Sequence, residues 1–362
     1  MKRIGIIGAG QLGQMLGFAG QSLGLEFVFL DPAPEPPAAA AGKIIPLPFD
    51  SEQGLGQLCR EADVITYEFE NVPVAALERI VDDNIVYPPP AALLHAQDRA
   101  REKQLFESLR IPVAPYRLVD SIADLELAAR EIGLPLVLKT RRLGYDGKGQ
   151  ALVKTLGDLP LAFDKLGGRQ LIAEQRIEFD REVSAIGARN VRGDVTVYPL
   201  IENQHRGGIL NISRAPFEAA LLSTLAHRYL HQMLANLDYV GVLTIEFFVV
   251  GDKLLANEFA PRVHNSGHWT IEGARTSQFE NHLRAILDMP LGDVSPTGHA
   301  AMLNLIGTMP ANSNLADGKR TFLHDYGKTA RPGRKLGHIT IVADDAAGRE
   351  RALRQISERL VA

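Results

Sequence analysis

Residues 243–259 read LTIEFFVVGDKLLANEF. Two apolar runs flank Gly251-Asp252, a dipeptide suited to a tight hairpin turn. Each run is broken by an acid: Glu246 in the first, Glu258 (preceded by Asn257) in the second. A carboxylate inside a buried strand is costly unless it meets a partner or a metal. Two of them on facing strands, with no Cys and no His pair in the hairpin, suit Mg2+ held jointly with phosphates. The competing reading is two acids paired to arginines such as Arg262. The metal reading constrains the register. A two-residue turn pairs Val250 with Lys253 and sets Glu246 opposite Asn257, with Glu258 on the other face. Glu246 meets Glu258 only across a three-residue loop or past a bulge, so one of these is predicted.

Directly downstream, Pro261 to His268 (PRVHNSGH) reads as a polar loop beside the hairpin, a candidate substrate surface carrying Arg262, His264, Asn265 and Ser266. No Gly-x-Ser-x-Gly elbow accompanies it, so a serine-nucleophile triad is the poorer reading. Upstream, Lys139 ends the apolar strand LVLK, and a lysine there asks for an anion. The segment GYDGKGQ follows at 144–150: Gly144, Gly147 and Gly149 make a loop able to fold over phosphates, with Tyr145, Asp146, Lys148 and Gln150 as polar hooks. It lacks the Gly-Lys-Ser/Thr ending of a P-loop. Glu174 ends the next strand. A strand edge at Gln175, Arg176 and Ile177 can offer backbone groups to an adenine, and Glu182 can hold ribose hydroxyls. On the residues alone, two solvated carboxylates are the better reading of Glu174 and Glu182.

At the N-terminus RIGII (3–7) reads as a buried strand, Gly8-x-Gly10-x-x-Gly13 as its turn into a helix over 12–23, and EFVFL (26–30) as a second strand ending at Asp31. That is the dinucleotide pattern, but it fits NAD, another phosphate ligand or an empty tight turn alike. Gln11, a bulky amide in the loop, weighs against NAD. Strands at 63–67 and 85–87, alternating with helices, predict a doubly wound parallel sheet, and Pro88-Pro89-Pro90 marks a boundary. Beyond it the pattern predicts a helix over 97–109, strands at 136–140, 171–175, 182–188 and 195–201, and helices over 218–236 and 275–287. A strand-rich tail from about 297 closes with a helix over 346–360.

Composition bounds the rest. The 362 residues suffice for two or three domains, 46% are hydrophobic and the net charge is −4, with no basic stripe, which argues against nucleic acid as the main partner. Cys59 is the only cysteine, so neither an internal disulfide nor a Cys-rich zinc site is possible, in keeping with a reducing cytoplasm. No apolar run reaches membrane-spanning length, and the N-terminus reads as a strand rather than a signal peptide.

The combination is more specific than its parts. Lys139, GYDGKGQ, Glu174-x-x-Ile177 with Glu182, Glu246 and Asn257-Glu258 occur in the order of an ATP-grasp ligase. GxGQLGQM at the N-terminus, TYEFENV (66–72), PRVHNSGHWT (261–270) and GRKLGH (333–338) resemble one branch, the N5-carboxyaminoimidazole ribonucleotide synthetases of purine biosynthesis, over essentially the whole chain. The resemblance implies an α/β ATP-grasp fold: a doubly wound domain at 1–95, an ATP-grasp region at 96–296 with its lid at about 113–180, and a β-rich domain at 297–362. It implies that Arg99, Lys139, Glu174, Ile177, Glu182, His205 and Asn257-Glu258 bind ATP, that Glu246 and Glu258 hold Mg2+, and that bicarbonate is a co-substrate. Gln11, Leu12, Glu68, Tyr145, Asp146, Lys148, His264, Asn265 and Ser266 would surround the aminoimidazole ribotide and bicarbonate. Lys328, Arg334 and Lys335, in a cation-rich turn, would hold the ribotide phosphate. Lys148 stands where arginine is common, losing bidentate geometry, and Leu336 where methionine is common. A homodimer with small-molecule partners only is expected. The alternatives are a formate-dependent glycinamide ribotide transformylase, whose loop commonly carries Glu in place of Gln11, an NAD-dependent dehydrogenase, and a non-catalytic nucleotide-binding module.

Overall fold

The computed structural model describes residues 1–144, 148–310 and 315–361. The N-terminal part is a four-stranded parallel sheet of order β3-β2-β1-β4, with β1 at Arg3–Ile7, β2 at Glu26–Leu30, β3 at Lys43–Ile45 and β4 at Val64–Tyr67. Ile4, Ile6, Ile7, Phe29 and Leu30 are fully buried, as strands covered on both faces require. The helix Gln11–Gln21 follows β1.

A second four-stranded sheet, antiparallel with order β5-β8-β6-β7, spans Tyr116–Val119 (β5), Leu136–Thr140 (β6), Gln150–Val153 (β7) and Leu171–Gln175 (β8). It has its own small core around Leu125, Leu136, Leu138 and Leu171. The third sheet has nine strands: Arg181–Arg189 (β9), Val195–Val197 (β10), Ile201–Arg206 (β11), Ile209–Ala215 (β12), Gly241–Val250 (β13), Lys253–Ala260 (β14), His299–Ile306 (β15), Thr321–Asp325 (β16) and Lys335–Ala343 (β17). Its order is β14-β13-β9-β11-β12-β15-β17-β16, with β10 paired to β9. Among the described residues no helix is long and apolar enough to cross a membrane.

The tail is strand-rich as expected, and β12 pairs with β15 from Ile212↔Leu303 to Ala215↔Ala300, so the C-terminal strands extend the sheet that carries the 243–259 hairpin. Residues 85–87 form only an isolated parallel bridge, Ile65↔Val86. The proline triplet starts a helix, Pro90–Ala96, because a proline in the first turn has no amide to waste there.

One core cluster joins the parts. Leu12, Met15 and Phe27 of the N-terminal domain pack with Trp269, Phe279 and Leu283. His282, in the helix Gln278–Ile286, bridges the two sheets: its Nδ1 accepts from the Val242 amide at 3.1 Å and its Nε2 lies 3.0 Å from Thr66 Oγ1. Burial pushes this histidine down to about 4, which keeps it neutral and able to make both bonds.

Candidate active site

The hairpin has the two-residue turn, with Val250 opposite Lys253, and the pairing runs regularly to Phe247↔Ala256. There the register shifts, Asn257 is left over and Glu246 falls opposite Glu258. The bulge, the second of the two predicted routes, therefore puts both acids on one face. The helix Arg99–Ser108 holds it in place. Lys103 Nζ donates to the Asn257 carbonyl at 2.8 Å, and Glu102 Oε1 accepts the Phe259 amide at 2.7 Å. Both side chains are buried, so their bonds replace ladder bonds that a bulged edge strand lacks. Burial, with Glu258 nearby, raises the Glu102 carboxyl to about 8. Glu102→Gln, which keeps an acceptor of the same size, should therefore fold normally. Glu102→Ala strands a buried amide and should cost about 1–3 kcal/mol, read as a lower thermal midpoint.

The two facing acids differ in surroundings. Burial and the neighbouring Glu258 push Glu246 up to about 7. Burial also acts to raise Glu258, but Arg99 at 3.3 Å, with Lys139, brings it below its ordinary value. Two close carboxylates, one of them resisting ionisation, are a set of hard oxygen donors short of a cation. Among the described residues no cluster of three or more His, Cys, Asp or Glu side chains could hold a metal unaided, so the pair needs oxygens from a ligand to complete a shell.

Lys139 meets its anion within the protein: Glu174 lies 3.0 Å away, with Lys103 on the other side at 3.3 Å. Burial alone would raise Glu174, but these lysines bring it down to about 2. Glu174 is thus buried behind Lys139 rather than solvated. Nor is β8 an edge, since it lies between β5 and β6. The Gln175 and Arg176 amides are spent on the Pro115 and Pro135 carbonyls at 2.8 and 3.1 Å. Of that segment Arg176 lines the cavity that Lys139 and Glu182 border. Glu182 pairs with His205 at 2.7 Å.

The glycine fingerprint resolves against a dinucleotide. Glu68 accepts the Gly10 amide at 2.8 Å and the Gly13 amide at 3.1 Å, while Asp31 accepts Ala9 at 2.8 Å. A β-carbon on Gly10 would sit 2.6 Å from Glu68 Oε1, so this glycine makes room for an internal acid. The amides that would cradle a pyrophosphate are already taken, and Asp31 is turned onto its own loop rather than free for a ribose.

Two cavities of about 450 and 460 Å³ flank the hairpin. The first reaches Gln11, Leu12, Glu68 and Arg262; the second reaches Lys139, Lys148, Gln150, Glu182, His205 and Asn257. Arg99, Glu246, Glu258, His264, Asn265 and Lys335 line both, so the two cavities meet at the paired acids. Gly144 lines the first. Tyr145, Asp146 and Gly147 lie outside the described residues.

Three family models match along the chain: a ribonucleotide synthetase preATP-grasp domain over 1–97, an ATP-grasp domain over 104–279, and a phosphoribosylaminoimidazole carboxylase C-terminal domain over 300–352. The N5-carboxyaminoimidazole ribonucleotide synthase of Pseudomonas aeruginosa is 48% identical over 345 residues, covering 95% of this chain and 96% of the relative. That of Brucella melitensis is 46% identical, covering 93% and 95%. The chain belongs to the N5-carboxyaminoimidazole ribonucleotide synthase family of ATP-grasp ligases. The crystal structure of the Thermus thermophilus synthetase superposes with a TM-score of 0.95 at 49% identity over 99% of both chains. The Aspergillus clavatus synthase, solved with ADP and 5-aminoimidazole ribonucleotide, superposes with 0.91 at 30% identity over 99% of this chain and 98% of that one.

In this ligase the loop after the hairpin is fixed by residues the sequence did not flag. Gln278 accepts the His264 amide at 2.9 Å and donates to the His264 carbonyl at 2.6 Å. Gly267 lets it approach, since a β-carbon there would lie 2.6 Å from Gln278. Arg262 donates to Glu70 at 2.9 Å, and Asn265 and Asn304 exchange bonds of 2.7 and 3.1 Å. Ser266 is fully buried beneath His264 and lines neither cavity, so it supports the surface rather than forming it. Lys328 also lines neither cavity, but it donates to the Gln11 side-chain oxygen and so ties the C-terminal turn to the N-terminal loop. Burial and the positive charge of Arg334 lower its amine to about 8, evidence that the cations of this turn converge. Arg334 Nη1 donates to the Thr329 carbonyl at 3.1 Å. A charged triplet at positions 99, 102 and 103 shares one helical face, and helical spacing was the available signal for Glu102 and Lys103. Such a triplet normally reads as a solvated face.

Proposed function

We propose that this ligase carboxylates the exocyclic amine of 5-aminoimidazole ribonucleotide, using ATP and bicarbonate through carboxyphosphate. The observation that carries the reading is the meeting of two cavities at Glu246 and Glu258. One is bordered by lysines and suits a nucleotide; the other is polar and runs toward Gln11 and the cationic turn. The relatives' names and the ADP–ribotide complex of the Aspergillus clavatus synthase support the same assignment.

In this reading ATP lies against Lys139, Lys148, Glu182, His205 and Asn257, with Glu174 setting the position of Lys139. Any adenine contact from 175–177 falls to the Ile177 amide and to carbonyls. The ribotide occupies the other cavity, its base near Gln11, Leu12, Glu68, Asn265 and His264, its phosphate on Lys328, Arg334 and Lys335. Glu246 and Glu258 fit Mg2+, which when bound would draw charge from the phosphates. A bicarbonate oxygen attacks the γ-phosphorus and the bond to the ADP oxygen breaks. The carbon–oxygen bond of carboxyphosphate breaks with phosphate leaving, either as the amine attacks or beforehand to give CO2; the N–C bond forms and the nitrogen proton passes to phosphate. Arg262 and His264 border the acceptor. Tyr145, Asp146 and Lys148 belong to the loop expected to exclude water from an intermediate that hydrolyses readily.

The reading keeps three parts, 1–95, 96–296 and 297–362, and a cytoplasmic homodimer; light scattering on the eluting protein tests the dimer. The activity is tested by ADP release. It should require ATP, Mg2+, bicarbonate and the ribotide together. Ribotide-stimulated release with formate but not with bicarbonate would move the assignment to a transformylase.

A further inference from the structure

Beneath the proposed reaction centre a line of buried polar groups crosses the large sheet. Ser213 Oγ lies 2.8 Å from Asn203 Oδ1, Asn203 Nδ2 lies 3.0 Å from Ser184 Oγ, and Ser184 Oγ lies 2.8 Å from Ser266 Oγ. Ser266 Oγ is 2.9 Å from His264 Nδ1. Ser184, Ser213 and Ser266 are fully buried, and Asn203 is nearly so. The strand register produces the line. Ser213 is directly opposite Asn203, and Ser184 is directly opposite Glu246, so the far end of the line and the paired acids share one face of the sheet.

The polarity of the line can be read at the histidine end. The Ser266 backbone amide also points at His264 Nδ1, at 3.3 Å, and an amide can only donate. Nδ1 is therefore an acceptor. The Ser266 hydroxyl, facing the same nitrogen, must donate to it and so must accept from Ser184. Ser184 in turn accepts from Asn203, whose oxygen takes the Ser213 hydroxyl. Every bond then runs one way, and a neutral imidazole whose Nδ1 accepts carries its proton on Nε2. That atom faces the site, 3.7 Å from Glu246 Oε1.

We infer that Asn203 and Ser184 are positioning residues that hold His264 as its Nε2–H tautomer, so that it presents a hydrogen-bond donor to an oxygen of the bicarbonate-derived carboxylate. The second half of this statement rests on the function proposed above; the tautomer does not.

The test is 15N NMR of the histidine-labelled full chain without ligands, with His264 assigned by the signal lost in His264→Gln. The parent should show a protonated Nε2 and a bare Nδ1. Asn203→Asp replaces the donor by an acceptor. Ser184 should turn toward it and Ser266 toward Ser184, so the His264 proton should move in part or whole to Nδ1. Ser184→Ala removes the middle of the line and should leave both tautomers visible. With ATP, bicarbonate and ribotide, kcat of Asn203→Asp should fall about 100-fold, the scale of one preorganised donor lost, with both KM values nearly unchanged. A protonated Nδ1 in the parent overturns the inference whether or not the chain carboxylates anything. So does a fall in kcat in both variants with the parent 15N pattern retained, which would reduce these residues to packing. Absence of carboxylation in the parent, with the tautomer as stated, would instead remove the proposed function alone.

Discussion

Glu258→Gln should lower kcat about a thousand-fold and raise the Mg2+ concentration needed for half-maximal rate, because a charged ligand to the cation at the developing phosphoryl charge is lost. Glutamine keeps the volume and one acceptor, so the bulge at Asn257, anchored by Lys103 and by Glu102 through the Phe259 amide, should survive. The variant also releases Arg99, which lies 3.3 Å from Glu258. Glu246→Gln should behave similarly. The pair differs from two structural acids in one respect: Glu246 is pushed up to about 7 by burial and by its neighbour, so its ionisation is resisted where a cation would favour it. The measurement is an Mg2+ titration of ADP release at saturating ATP and ribotide. A rate within ten-fold of the parent at ordinary Mg2+ would return both residues to a structural role.

Lys328→Ala should raise the ribotide KM about ten-fold to a hundred-fold while leaving the ATP KM nearly unchanged, the loss expected for one charged contact of about 1.5–3 kcal/mol. The motive is the environment of this amine. Burial and Arg334 lower it to about 8, and Lys335 and Arg331 add to the same effect, an arrangement that a phosphate dianion relieves. Its bond to Gln11 places the turn over the cavity that Gln11 lines. Lys335 lines both cavities, so Lys335→Ala is expected to affect ATP as well, which separates the two lysines. An unchanged ribotide KM in the Lys328→Ala, Lys335→Ala double variant would leave the turn a solvated basic loop.

The parts of the site legible in the chain are those whose cost is local. An acid inside LTIEFF or LLANEF is improbable wherever that strand packs, so Glu246 and Glu258 announce themselves before any neighbour is known. Their common face was legible as a requirement, and the requirement narrowed the register to a loop or a bulge. The choice between the two was not, because it depends on a helix about 155 residues upstream supplying Glu102 and Lys103 to the unpaired edge. The same distinction governs Glu174. Alone in a sequence it reads as a solvated carboxylate; buried between Lys103 and Lys139 it is held ionised.

Glycine turns, apolar strands and misplaced charges are local features of the chain, since backbone freedom and burial cost are properties of a residue and its near neighbours. Tertiary structure alone decided what meets them. The loop of Gly8 to Gly13 is built to receive an anion, and nothing within it says which. Glu68 arrives from 58 residues beyond Gly10 and takes two of its amides, which closes the loop to a pyrophosphate. The strand-rich character of the tail is legible in its residues, but its attachment is not: β12 and β15 share a ladder across about 90 residues of chain. A hydrogen-bonded neighbour is chosen by the folding of the whole chain, and strand pairing over such a separation leaves no periodic trace in either segment.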